Sequence, residues 1–242
     1  MQGIRACIKA AAGLAAAAAA TAAPAGSPLP GTAYTVTGAA LADRRGGEVE
    51  FWHQEVSAAG APDTVGSYGA LTARGTGDWQ LTAGLGTQGE EGRDANAFAT
   101  LEALWLWREP RRDGYGLGLA AGADYRISDH EARDHYLLVP ATVEWGQRTT
   151  LHANLGGLYN EPRGETDGLW GLGLDWRLTE HWDVVLEATG DTRNGTDDRG
   201  VLGVRRSMLD DLVQLDLAYG RDFGASADDE LYLGLSVSAL RF

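Results

Sequence analysis

The sequence predicts an all-β fold: a transmembrane, antiparallel, up-and-down β-barrel of about twelve strands that follows an N-terminal signal peptide. Three observations predict it. Apolar and polar-or-small residues alternate with period two through most of the chain after Gly47. Aromatic residues sit at the ends of the apolar stripes, where a membrane interface would meet them. Glycine, with 34 residues, falls inside the strand patterns as well as in turns, which soluble sheets avoid and barrel walls tolerate.

The chain opens on a targeting pattern. Arg5 and Lys9 give a short basic start, an Ala-rich apolar run covers Ala10 to Ala20, and Ala23-Pro24-Ala25 offers small residues for cleavage before Gly26. The expected layout is a signal peptide over 1–25, a periplasmic lead over 26–46 and a barrel over 47–242, with the form of the lead (plug, strand or disordered stretch) left open by the sequence. No later run approaches the ~20 apolar residues of a spanning helix.

Cys7 is the only cysteine and Lys9 the only lysine. After cleavage no thiolate nucleophile or Cys-ligated metal remains, and every basic side chain is Arg. Without Arg5 and Lys9, 18 basic residues face 34 acidic ones, a formal charge of −16. Nucleic acid is not expected as a partner. Membrane lipid and the barrel-assembly machinery are.

The clearest strand runs from Tyr115 to Ile127. Tyr115, Leu117, Leu119, Ala121, Ala123, Tyr125 and Ile127 form one face, and Gly116, Gly118, Ala120, Gly122, Asp124 and Arg126 the other. Spanning strands need ~9–11 tilted residues, which this stretch supplies. The same alternation recurs along Trp79–Leu85, Leu101–Trp107, Val139–Trp145, Leu151–Tyr159, Trp170–Trp176, Trp182–Ala188 and Val213–Tyr219. The expected strands are 47–58, 65–74, 78–88, 95–108, 114–127, 134–146, 149–160, 167–178, 182–192, 198–207, 211–222 and 230–242. Connections after even-numbered strands are tight or Arg-rich, and those after odd-numbered strands are mostly longer and acidic. Such barrels have short periplasmic turns and long outer loops, so both termini are expected in the periplasm.

The last stretch, ELYLGLSVSALRF, ends on Phe242. It resembles the C-terminal aromatic strand of bacterial outer-membrane barrels, which the assembly machinery reads. Leu231, Leu233, Leu235 and Val237 share one phase while Leu240 and Phe242 share the other, so a bulge near Ala239 is expected. Glu187 to Phe242 also loosely resembles small transporter-like barrels of the phenol-degradation MetA-pathway type. That resemblance covers about the last quarter of the chain and implies solute passage.

The inward phase carries the candidate lumen residues: Glu102, Asp124, Arg126, Glu144, His152, Asp175, Arg177, Asp183, Glu187, Asp191, Arg199 and Asp216. Hairpin counting sets Glu144 opposite His152 with Asp175 beside it, Arg177 opposite Asp183 and Asp191 opposite Arg199. Three functions fit: a non-enzymatic channel for small solutes, with the charges as a selectivity zone; a structural or adhesive barrel with a filled lumen; and an outer-rim lipid hydrolase, for which Ser128 and His135, with Asp134 adjacent, are the candidates. The first is the leading expectation, in the cell outer membrane and with no catalytic residue. No cofactor or metal is expected: there is no H-E-x-x-H, the acidic loops lack EF-hand spacing, and the Gly-x-Gly pairs lie mid-strand.

Overall fold

The computed structural model describes residues 34–41, 47–57, 62–90, 95–192, 198–223 and 228–240, with side chains to Ser238. The signal peptide, most of the 26–46 lead, parts of four loops and Phe242 lie outside the described residues.

Twelve antiparallel strands form a closed barrel. They are β1 (Gly47–Ser57), β2 (Thr64–Arg74), β3 (Trp79–Glu90), β4 (Asn96–Arg108), β5 (Tyr115–Arg126), β6 (Glu131–Trp145), β7 (Thr149–Asn160), β8 (Glu165–Arg177), β9 (Trp182–Asp191), β10 (Arg199–Met208), β11 (Val213–Asp222) and β12 (Asp229–Leu240). Each strand pairs with its sequence neighbours, and β1 pairs with β12 to close the ring. Closure leaves no unpaired strand edge, which is the condition for crossing hydrocarbon with strands. One helical turn, α1 (Pro110–Asp113), joins β4 to β5. Pro fits its first position because no backbone donor is needed there, and Gly114 ends it at φ 80°.

Alternation sorts each strand. Leu155 is 67% exposed and Leu85 64%, while their inward neighbours Asn154 and Gly84 are buried. The outward band is apolar, which suits lipid rather than water. Trp79, Trp105, Trp107, Tyr115, Trp145, Trp176 and Trp182 ring the end that carries the short turns, and Tyr125, Tyr159 and Tyr219 ring the loop end. These are the two aromatic girdles of a membrane-spanning barrel.

Three irregularities adjust the wall. β1–β12 pairing steps from Gly47–Leu240 to Glu48–Ser238, so Ala239 is the extra residue, at the position where the phase changes in the sequence. β4–β5 pairing skips Trp107, which leaves Arg108 exposed instead of inward. A third shift lies in β5–β6, between Ala123 and Tyr125.

The interior is less polar than the alternation implies. One apolar cluster joins Leu104, Leu106, Ala120, Tyr136, Leu138, Leu158 and Leu169 to Ala39 and Leu41. A second joins Trp52, Tyr68, Ala70, Val201, Ala218 and Tyr232, with Tyr34 and Phe98 packed against it. Residues 34–41 therefore lie inside the barrel, where a periplasmic lead was expected.

Candidate lumen site

A single register row crosses five strands: Gly116 on β5 pairs with Thr142 on β6, Thr142 with His152 on β7, His152 with Gly173 on β8, and Gly173 with Glu187 on β9. All five positions share the inward phase. Residues 34–41 run across the strands along this row. Three strand spacings separate β9 from β6, about 14 Å. The segment bends at Val36 and at Ala39, between its contacts with Glu187 and with Thr142.

The segment is held by its backbone. Glu187 Oε2 accepts the N–H of Thr35 at 2.8 Å and of Val36 at 3.3 Å. In the amide orientation that satisfies both partners, Asn154 accepts the Thr37 N–H at 2.7 Å and donates to the Thr37 carbonyl at 2.9 Å. Thr142 Oγ1 accepts the Ala39 N–H at 2.8 Å. Thr142 Oγ1 also lies 2.9 Å from His152 Nδ1, and His152 Nε2 lies 3.7 Å from Asp175 Oδ2. The tautomer with its proton on Nε2 satisfies both His152 contacts, with Thr142 donating to Nδ1.

Glycine makes the wall thin where the segment passes. A Cβ at Gly116 would run into the Ala39 carbonyl oxygen, and one at Gly203 into the Tyr34 hydroxyl. At Gly171 a Cβ would come 3.0 Å from Val36 Cγ2. The space left by these glycines is filled by the segment.

The other charges sit around it. Arg205 donates to Asp216 at 2.8 Å, and its guanidinium lies 5.2 Å from the Tyr34 ring centre. Tyr34 meets Trp52 edge to face at 5.6 Å. Arg199 Nε donates to Glu230 Oε2 at 2.6 Å and its Nη2 to Tyr232 Oη at 2.7 Å. Glu102, toward the loop end, accepts the Tyr136 hydroxyl at 2.7 Å. Asp124 Oδ1 and Glu230 Oε1 are buried without a hydrogen-bond partner among the described residues.

Two pairings differ from the hairpin count. Trp145 pairs with Thr149 around a three-residue turn, Gly146-Gln147-Arg148, with Gly146 at φ 72°. The turn centre lies one residue earlier than counted, which slides the pairing by two. Thr142 therefore takes the place opposite His152, and Glu144 faces Thr150, exposed at the turn end. The Glu144–His152–Asp175 cluster thus reduces to His152 and Asp175. Arg199 pairs with Thr189, and Asp191 pairs with Leu169 on the other side, so these two charges do not oppose each other. Arg177 does pair with Asp183, at 3.4 Å on the turn-end rim. Arg126 turns to Asp129 of its own loop, at 2.9 Å.

The Ser128–His135 pairing does not form. Ser128 donates to Asn96 and His135 meets Glu161. A different trio lies on the outward face. His53 Nδ1 is 3.1 Å from Ser67 Oγ on the facing strand, and His53 Nε2 is 3.9 Å from Glu55 Oε1. His53 faces outward because Trp52 and Gln54 on either side of it are buried. The sequence signal for it was the break in the apolar stripe after Phe51.

The chain belongs to the family described as uncharacterised conserved protein UCP029691, whose model matches residues 12–239. No curated protein matches it. Among solved structures, it is similar to the KdgM porin in complex with disordered oligogalacturonate, with a TM-score of 0.63 and 6% identity over 78% of this chain and 98% of that one. It is similar to the NanC porin, with a TM-score of 0.62 and 7% identity over 77% and 98%. An outer-membrane channel from Pseudomonas putida F1 gives a TM-score of 0.53 and 13% identity over 80% and 94%. These likenesses establish the fold as that of an outer-membrane β-barrel.

Proposed function

We propose that the protein is a non-enzymatic channel for small solutes in the bacterial outer membrane, reached by export through a cleaved leader and insertion by the barrel-assembly machinery, with its acidic loops outside. The observation that carries this reading is the trio Thr142, Asn154 and Glu187 on the inner wall. Its polar groups bind a segment that is no part of the wall, so the barrel closes without that segment, and its withdrawal uncovers these groups to the lumen. Similar barrels described as porins and channels support it.

Carboxylates predominate along the path, with Asp175, Glu187 and Asp216 near the row and Glu102 and Asp124 toward the loops. That balance favours cationic or neutral solutes over a polyanion such as the oligogalacturonate of the KdgM complex. Single-channel recording in planar bilayers tests it. Protein in which residues 34–41 are replaced by a Gly-Ser linker should conduct with cation preference, and Asp175→Asn should reduce that preference. Silence from this variant would refute the channel.

A second reading, lipid-ester hydrolysis, attaches to the outward trio. Ser67 would be the nucleophile, His53 the base and Glu55 the group that orients it. Acyl-ester release from phospholipid vesicles that is lost in Ser67→Ala would establish it, and none from the wild type would remove it.

A further inference from the structure

We infer that Glu187, Asn154 and Thr142 on the inner wall form a binding site for a peptide backbone, that residues 34–41 occupy it as an exchangeable cis ligand which shuts the pore, and that short peptides are the class of solute able to take their place. The inference rests on the channel reading above. Four backbone N–H groups and one carbonyl of the segment are matched by wall side chains, at Thr35, Val36, Thr37 and Ala39.

Most of the recognition is of the main chain. Side chains from 35 to 40 are small or β-branched, and Val36 lies against Gly171 and Gly173 without a shaped pocket. A site built this way reads the spacing of amides, as peptide recognition along a strand edge does, and its hold depends on the two end anchors, which a Gly-Ser linker lacks. Here the matching groups are side chains, so the wall's own ladder is intact whether the site is full or empty. Only the Tyr34 ring and Leu41 anchor the ends, at Trp52 and Arg205 and in the Leu104–Leu106 cluster.

The arrangement also states how the segment leaves. It precedes β1, which begins at the turn end, so the segment enters the lumen from the periplasmic side in the proposed orientation. A peptide arriving from the loop side would meet the row from the opposite direction and displace the segment toward the periplasm.

The test uses the full chain in planar bilayers, with circular dichroism and heat-shifted gel migration confirming each barrel. Thr37→Pro with Ala39→Pro removes two of the matched donors and leaves every strand residue unchanged. Its conductance, and that of the linker replacement of 34–41, should exceed the wild type several-fold. A synthetic peptide of sequence YTVTGAAL should close the linker variant again in a dose-dependent way, and the same peptide N-methylated at its third-residue valine, fourth-residue threonine and sixth-residue alanine should not. Equal conductance of wild type and both variants would overturn the gate while leaving the channel standing. An open linker variant that the peptide fails to block would overturn the backbone site. Silence from all three proteins would refute the channel reading itself, and the inference with it.

Discussion

The Arg199–Glu230 pair gives a stability prediction that separates lumen from rim. Their side chains are 3% and 0% exposed, and Glu230 Oε2 takes the Arg199 guanidinium at 2.6 Å and the Tyr232 hydroxyl at 2.7 Å. Glu230→Ala removes the carboxylate that the Arg199 guanidinium contacts in a buried position, and breaking such a pair costs up to about 3–5 kcal/mol. Arg177–Asp183, at 60% and 17% exposure on the rim, is screened by water, and exposed pairs are worth about 0–1 kcal/mol. Urea unfolding from lipid vesicles should therefore show a loss several times larger for Glu230→Ala than for Asp183→Ala. Arg199→Met combined with Glu230→Leu removes both members of the pair and should recover part of the loss. Equal losses for Glu230→Ala and Asp183→Ala, or a double variant as unstable as the single one, would refute the claim that the pair is buried away from water.

Further outcomes follow from the same geometry. Leu155→Arg, mid-strand on the lipid face, should cost about 2–4 kcal/mol, while Glu165→Arg at the loop end should cost about 0–1 kcal/mol, both read by folding yield into vesicles. In protein whose Cys7 is replaced by Ser, a cysteine at position 39 should resist a hydrophilic maleimide; adding Gly116→Val, whose side chain collides with the Ala39 carbonyl, should make it reactive. At the α1 turn, the Glu109 backbone N–H and the Arg112 guanidinium hold the Asp113 carboxyl below the usual carboxylate range. A lowered folded value means its contribution is present above the ordinary range and fades as pH falls through the lowered one. Carboxyl NMR should show Asp113 titrating below the usual aspartate range, and a midpoint within that range would contradict the contacts.

The wall was legible because lipid enforces it. Each outward residue from Leu81 to Leu233 meets the same hydrocarbon, so period two persists and strand limits follow within a few residues. Pairings across hairpins were less legible, since they depend on where a turn is centred. Gly146 at positive φ moved that centre by one residue and put Thr142 where Glu144 was expected. Residues 34–41 gave no period, because Thr, Gly and Ala there meet a polar wall through their backbone. The trace they did leave was on other strands: inward glycines at 116, 171 and 203 leave room at the wall, and the segment takes it. Glu230 and Tyr232 were within reach, for the outward phase of Leu231 and Leu233 already turns them inward.

The completeness of the ladder has a consequence for how often the segment can come and go. A sheet that surrenders a strand is left with a raw margin of amides and carbonyls, and such margins recruit other chains. This ring surrenders only side-chain contacts when the segment withdraws. The polar groups uncovered are a carboxylate, an amide, a hydroxyl and an imidazole, which water hydrates at once, and the apolar patches that Tyr34 and Leu41 leave stay enclosed within the ring. Opening and shutting can then recur without presenting a sticky surface, so wear through aggregation is absent from the cycle.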